Sequence, residues 1–266
     1  MEAIARVTVG RVAGGTLVSS SPVPEDATRI LPSSRPVEPE LMDADDIALD
    51  ELERSFRFIR RVNRRFGGAA ALRRVLEKDA PRWPRDRPIR WLDLGTGAAD
   101  IPLAIDAWAA RRGLDVRCVA LDRHPGCLAI ARKAVAAHPR IEVVDGDALD
   151  LSSVADGSFD YVHAGMFLHH LAEPSIHSVL QAMGRIASRA AVWNDLSRSA
   201  WAAFAVWLVT VPEPKGVKFD ARLSVRKGFT ATEALALAER AGLRATLESS
   251  AFVGRFAVVA RPQSMA

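Results

Sequence analysis

The chain has 266 residues, 49% of them apolar and 26% charged, which suits one large α/β domain with a small extension and excludes a disordered, collagen-like or two-enzyme chain. Net charge is +4, and only five of the 36 basic residues are lysine, so the excess speaks to solubility rather than to a nucleic-acid surface. Cys118 and Cys127 are too few for a disulfide framework and lack metal-site spacing, and no apolar run approaches the roughly 18 residues of a membrane span, so a cytoplasmic protein without a membrane span is expected.

Residues 1–40 mix glycine, serine and proline with scattered valines and keep neither a helical nor a strand period, so they are expected to form a disordered leader. Residues 41–88 are expected to be an N-terminal helical cap and linker. Asp43, Asp45 and Asp46 stand where carboxylates complement a helix start, and Leu49, Leu52, Phe56, Ile59, Val62 and Phe66 follow as an apolar stripe until Gly67 and Gly68. A second short helix over 69–78 leads into a breaker-rich loop holding Pro81, Pro84 and Pro88.

From 89 to 266 the pattern is that of one cofactor-binding domain. Apolar runs at 89–94, 116–121, 141–144, 159–164 and 190–194 alternate with helical stretches, as parallel βαβ units do. Pro102 and Pro125 fall in first turns, where a missing N–H costs nothing. Then come a helix over 197–209, a Pro-Lys-Gly loop, a helix over 230–241, and strands near 244–249 and 255–260 whose short connection allows an antiparallel hairpin. The fold class is therefore α/β, with a mostly parallel sheet and one reversed strand. The helix at 197–209 has almost no polar face, so it is expected to be buried and, with the helix at 49–66, to roof an apolar pocket.

The sharpest motif is Trp91-Leu-Asp93-Leu-Gly95-Thr96-Gly97-Ala-Ala99-Asp100, a strand, a glycine turn and a helix start, over which a ligand should lie. A diphosphate site would need glycine where this chain has Asp100, whose carboxylate repels phosphate. Asp93 likewise suits a cationic group, and S-adenosylmethionine (SAM) offers both an ammonium and a sulfonium. Asp122, ending the second strand, can accept hydrogen bonds from ribose hydroxyls, and Asp147 after the third strand can accept from an adenine amino group.

With those residues in place, the chain resembles the class I SAM-dependent methyltransferases of the ubiquinone/menaquinone and small-molecule type over about residues 46–262. The resemblance implies a Rossmann-like seven-stranded sheet in the order 3-2-1-4-5-7-6, strand 7 antiparallel, with helices on both faces. It implies SAM as cofactor, with Asp93, Gly95, Thr96, Gly97 and Asp100 around the first motif, Asp122 and Arg123 at the ribose, Asp147 and Ala148 at the adenine, and Ala164 at the end of the fourth strand. Ala99 replaces the family's third glycine and restricts the turn.

The acceptor dictates the base. The fourth strand runs into His163-Ala-Gly-Met-Phe-Leu-His169-His170 rather than the Pro-Pro motif of amide and adenine N-methyltransferases, and neither cysteine stands where a cytosine C5 nucleophile belongs. Asn194-Asp195 offers half of a metal-dependent set, yet no carboxylate ends the fourth strand, so no metal is expected. What remains is transfer to a small, largely apolar acceptor, most simply O-methylation of a phenolic or polyketide-like hydroxyl of secondary metabolism, with His169 or His170 as general base. C-methylation of a quinol or aromatic ring is the alternative. A nucleic-acid methyltransferase would rest only on Arg57, Arg60, Arg61, Arg64 and Arg65, which also read as a solvated helix face, and a non-catalytic SAM-binding protein is the last rival.

Overall fold

The computed structural model describes residues 34–248 and 254–262. Seven strands form one sheet in the order β3-β2-β1-β4-β5-β7-β6: β1 (Ile89–Leu94), β2 (Val116–Asp122), β3 (Ile141–Asp145), β4 (Phe159–Gly165), β5 (Ala187–Leu196), β6 (Ala245–Glu248) and β7 (Arg255–Ala260). Pairings from β3 across to β5 are parallel, and β7 runs antiparallel to both β5 and β6. The expected Rossmann-like topology is therefore present, with its switch point between β1 and β4, where ligands gather at the carboxyl ends of the strands.

The central strands read as continuous apolar runs because both faces are covered. Trp91, Tyr161 and Trp193 on β1, β4 and β5 are fully buried. Around them pack α3 (Asp100–Arg111), α4 (Pro125–Val135), α5 (Glu173–Ile186) and α8 (Ala231–Arg240). The α4 start is secured by His124, whose Nδ1 accepts from the amides of Gly126 and Cys127, and the α8 start by a Thr230–Glu233 capping box.

The cap consists of α1 (Leu49–Arg65) and α2 (Ala70–Asp79). Leu52 and Phe56 bury the α1 stripe against Cys127 and Ile130 of α4, so the cap is pinned over the carboxyl end of β2. Aspartates 43, 45 and 46 do not start this helix: Asp43 lies in a separate 3₁₀ turn, Leu41–Asp43, and the α1 first turn carries Asp50 and Glu51 instead.

Two sequence expectations change here. The stretch after α6 (Ala200–Val209) is not a plain loop but a further helix, α7 (Lys215–Lys227), packed against α6. The leader expected over 1–40 also has a packed end: the Arg35 guanidinium donates to the carbonyls of Lys227, His169 and Leu171 and lies over the Phe229 ring at 4.1 Å. Residues 1–33 of that leader, and Ser249 of the expected sixth strand, lie outside the described residues.

Candidate active site

A cavity of about 460 Å³ opens where β1, β2 and β4 end, between the glycine turn below and α1, α6, α7 and the 37–43 segment above. That volume lies in the range of small-molecule and cofactor pockets. Its two walls differ in chemistry.

The first wall is the turn after β1. Gly95 and Gly97 have φ of +64° and +56°, and a Cβ would fall 2.4 Å from the Phe167 ring at Gly95 and 2.8 Å from the Phe56 ring at Gly97. Only glycine meets both demands. Ala99 also takes a left-handed conformation, at φ 55°, a steric cost of about 1–2 kcal/mol tolerated at the mouth of α3. Asp93 is held rigid: Thr96 Oγ1 donates to Oδ2 at 2.8 Å, and His163 Nδ1 lies 2.6 Å from Oδ1. His163 is fully buried behind Asp93 and does not line the cavity, so it orients a site residue rather than meeting the acceptor.

Asp122 accepts the Gly97 amide at 2.8 Å and the His124 amide at 2.9 Å, which braces the glycine turn against the end of β2. Burial raises its pKa, and these amide bonds oppose the rise. Asp147 accepts the Leu149 amide at 2.9 Å and meets exposed Arg123 at 3.3 Å. Asp93, Gly95, Thr96, Gly97, Asp100, Asp122, Arg123, Asp147 and Ala148 all line the cavity. Ala164 does not: it is buried within the sheet between Leu94 and Trp193, and Gly165 and Met166 take its place in the wall.

Asp100 has a partner that the sequence did not announce. Asn63 Nδ2 of α1 donates to it at 2.8 Å, while Asn63 Oδ1 accepts Arg255 Nη2 from β7 at 2.6 Å. Burial pushes Asp100 up, and burial lowers Arg255 to about 10. This chain of bonds ties the cap to the glycine turn and to the reversed strand at one point.

The second wall is a buried polar cluster. His169 is 1% exposed; its Nδ1 lies 2.6 Å from Asp195 Oδ1, and its Nε2 stands 3.6 Å from Glu40 Oε1. Asp195 also accepts from the Trp193 indole and from the amides of His169 and Leu196. Burial alone would raise the Asp195 pKa, but the charge and hydrogen bond of His169 outweigh it and hold it below the usual range. An ionised Asp195 accepts from Nδ1 and orients the ring, so that Nε2 faces Glu40.

Glu40 comes from the segment expected to be disordered, yet it is 3% exposed. Ser224 Oγ donates to Oε2 at 2.7 Å, and Lys227 Nζ lies 3.4 Å from Oε1. Asp220 secures the same segment by accepting the amides of Leu41 and Met42; burial pushes its pKa up to about 7. No local pattern flags Glu40, Asp220, Ser224 or Lys227, since Glu40 and Ser224 are 184 residues apart in the chain.

His170 sits beside this group but cannot share the expected role. Its Nδ1 lies 2.9 Å from Asp43. Burial would lower its pKa, but the carboxylates of Glu40 and Asp43 outweigh burial and hold it up at about 9. It therefore already carries its proton at neutral pH. Glu40, His169 and His170 place donor atoms within 4.8 Å of one another, near enough to share a metal ion; protonated His170 and the Lys227 ammonium already put two positive charges there, which oppose a third. Asn194 donates to the Gly68 carbonyl, and neither it nor Asp195 lines the cavity, so the half-set of metal ligands read from them is not assembled.

Residues 92–189, from β1 through the start of β5, match the family model described as "Methyltransferase domain". The match covers a little over a third of the chain and takes in the glycine turn and the ends of β2, β3 and β4. Among solved structures, the plantazolicin methyltransferase BamL with a triazolic desmethylPZN analog and SAH is similar at TM-score 0.61 and 12% identity, over 80% of this chain and 91% of that one. PigF with SAH is similar at TM-score 0.52 and 18% identity, over 82% and 63%. The citrinin polyketide synthase CMeT domain is similar at TM-score 0.54 and 16% identity, over 70% and 50%. These likenesses show the fold, and the chain spans less than two thirds of the length of PigF. No curated protein sequence matches the chain.

The first wall fits SAM, the cofactor that the resemblance implies. The side-chain-free turn at Gly95 and Gly97 allows close backbone approach, and carboxylates end or follow β1, β2 and β3 where the ammonium, ribose and adenine of SAM call for acceptors.

Proposed function

We propose that the protein transfers a methyl group from SAM to the hydroxyl oxygen of a small, largely apolar acceptor, a phenol or polyketide-like enol. The observation that carries this reading is His169 in the cavity wall opposite the glycine turn, backed from behind by the buried carboxylate of Asp195. When bound, SAM supplies a methyl group on a sulfonium that leaves as a neutral thioether. The protein's own contribution is positioning and proton removal. His169 Nε2 takes the hydroxyl proton as the oxygen forms its new bond to carbon. Asp195 holds the ring and favours the imidazolium that results, and Glu40, 3.6 Å from Nε2, adds a second carboxylate beside the new charge. Phe56, Phe167, Val206 and Val209 in the walls favour an apolar acceptor body and exclude water.

C-methylation of an aromatic ring is the second reading, favoured by the same geometry because a base that ionises a phenol also activates its ring. The deciding experiment incubates SAM carrying a labelled methyl group with wild type and His169→Ala on a panel of phenols, quinols and tRNA. Transfer to a phenol by wild type, with a loss of roughly 10²–10⁴ in the variant and unchanged SAM binding, supports the reading. Transfer to tRNA, or full activity in the variant, contradicts it.

A further inference from the structure

The helix α6 is apolar on every side but is not a core helix. One face looks inward, with Ala202, Ala205, Val206 and Val209 in the cavity wall. The other carries Trp201, Phe204, Trp207, Leu208 and, one turn on, Val211, each at least half exposed. Their spacing puts them on one stripe, and the rings form a stacked ladder with centroids 5.8 Å apart for Trp201–Phe204 and 6.2 Å for Phe204–Trp207. A soluble monomer rarely leaves such a contiguous surface bare.

The surroundings of this stripe are basic. Arg61 of α1 pairs with Glu213 in the turn after α6, and α7 packs against both helices, so the α1 arginines border the end of the stripe. Along that α1 face Arg57, Arg61 and Arg64 are exposed at i, i+4 and i+7, followed by exposed Arg65, and Lys215 is exposed at the start of α7. The acidic residues of α1, Asp50, Glu51 and Glu53, all precede this row, with Glu53 one turn before Arg57, and none stands among Arg57, Arg61, Arg64 and Arg65.

We propose that this face docks on an anionic lipid-bilayer surface, with the α6 aromatics in the headgroup boundary and the α1 arginines on the lipid phosphates. The combination of an aromatic stripe with flanking cations matches such a surface. Tryptophan suits the boundary because its ring is apolar and its N–H is wet. A second copy of the chain is the poorer match, since a symmetric interface through the stripe would bring two arginine faces together. At ten residues, α6 is about 15 Å long and lies on a bilayer without crossing it; no described helix is long and apolar enough to span a membrane. The inner face of the same helix lines the cavity, so docking sets the acceptor pocket against the phase where apolar acceptors dissolve.

The test is co-sedimentation of the full chain with phosphatidylcholine vesicles, with or without phosphatidylglycerol, together with light scattering for oligomeric state. The structure predicts binding to the phosphatidylglycerol vesicles, weakening with salt, and a loss of about tenfold or more in Phe204→Glu/Trp207→Glu and in Arg57→Glu/Arg64→Glu. Titration with S-adenosylhomocysteine should be unchanged in both, which shows that they fold. Vesicle binding that ignores either pair of substitutions, equal binding to pure phosphatidylcholine, or a dimer that the aromatic pair dissolves without any vesicle binding would overturn the proposal. None of these readouts depends on the methyl acceptor.

Discussion

The cofactor wall and the acceptor wall of the same cavity are built in opposite ways. The first comes from one stretch of chain, Asp93 to Ala148, in which each strand end delivers its residue in turn. The second draws Glu40, His169, Ser224 and Lys227 from the segment before α1, the turn after β4 and α7, with Asp195 at the end of β5 behind His169. A wall made locally is stable wherever its sheet is stable, whereas a wall made from distant pieces depends on every contact that brings them together.

Substitutions on the two walls should therefore separate binding from turnover. The largest effect is expected for Asp195→Asn, which removes the carboxylate that orients the His169 ring: turnover should fall by roughly 10²–10⁴ with SAM affinity retained. Steady-state kinetics beside calorimetric titration measures both, and a parallel loss of SAM binding would merge the two walls into one. Next is Asp122→Ala, which removes a charge-assisted brace from the Gly97 amide as well as the expected ribose contacts. SAM binding should weaken by about 1.5–3 kcal/mol per bond lost, before compensation by water.

The smallest effect concerns stability and pH. His170 is held up at about 9, against an ordinary 6.5 in the unfolded chain, so its contribution is fully present below about pH 6.5 and is lost as pH rises toward 9. The Tm of His170→Gln should lie furthest below wild type in mildly acidic buffer, and the gap should close by about pH 9. A gap that does not change with pH would mean that the Asp43–His170 pair contributes through packing alone.

The same contrast explains what could be read in advance. The strands β1 to β4 and the glycine turn follow from local apolar runs and from residue types that only one backbone conformation tolerates, as at Gly95. The helix α7 escaped because Pro212, Pro214 and Gly216 make its start look like a loop, while Asp220 and Ser224 place polar groups on its buried face, where the helical period calls for apolar ones. Those polar groups hold Glu40 and the backbone that follows it. For α6 the periodicity misleads in the opposite sense: an all-apolar helix reads as core, whereas Trp201 at 59% exposure shows that one of its faces is not covered by the described residues. Glu40 was hidden by neighbours rich in proline and poor in periodicity, since its order comes from Lys227 and Ser224 rather than from its own segment.

The chemistry assigned to the acceptor wall is proton removal from oxygen, and the atom that receives the methyl group reports on it most directly. The measurement is carbon NMR of the product formed from SAM labelled with ¹³C in its methyl group and the best acceptor of the phenol and quinol panel. A methoxyl carbon, absent when His169→Ala replaces wild type, is the result the Asp195–His169 arrangement predicts. A methyl carbon bonded to the ring would contradict it and assign the same cavity to C-methylation.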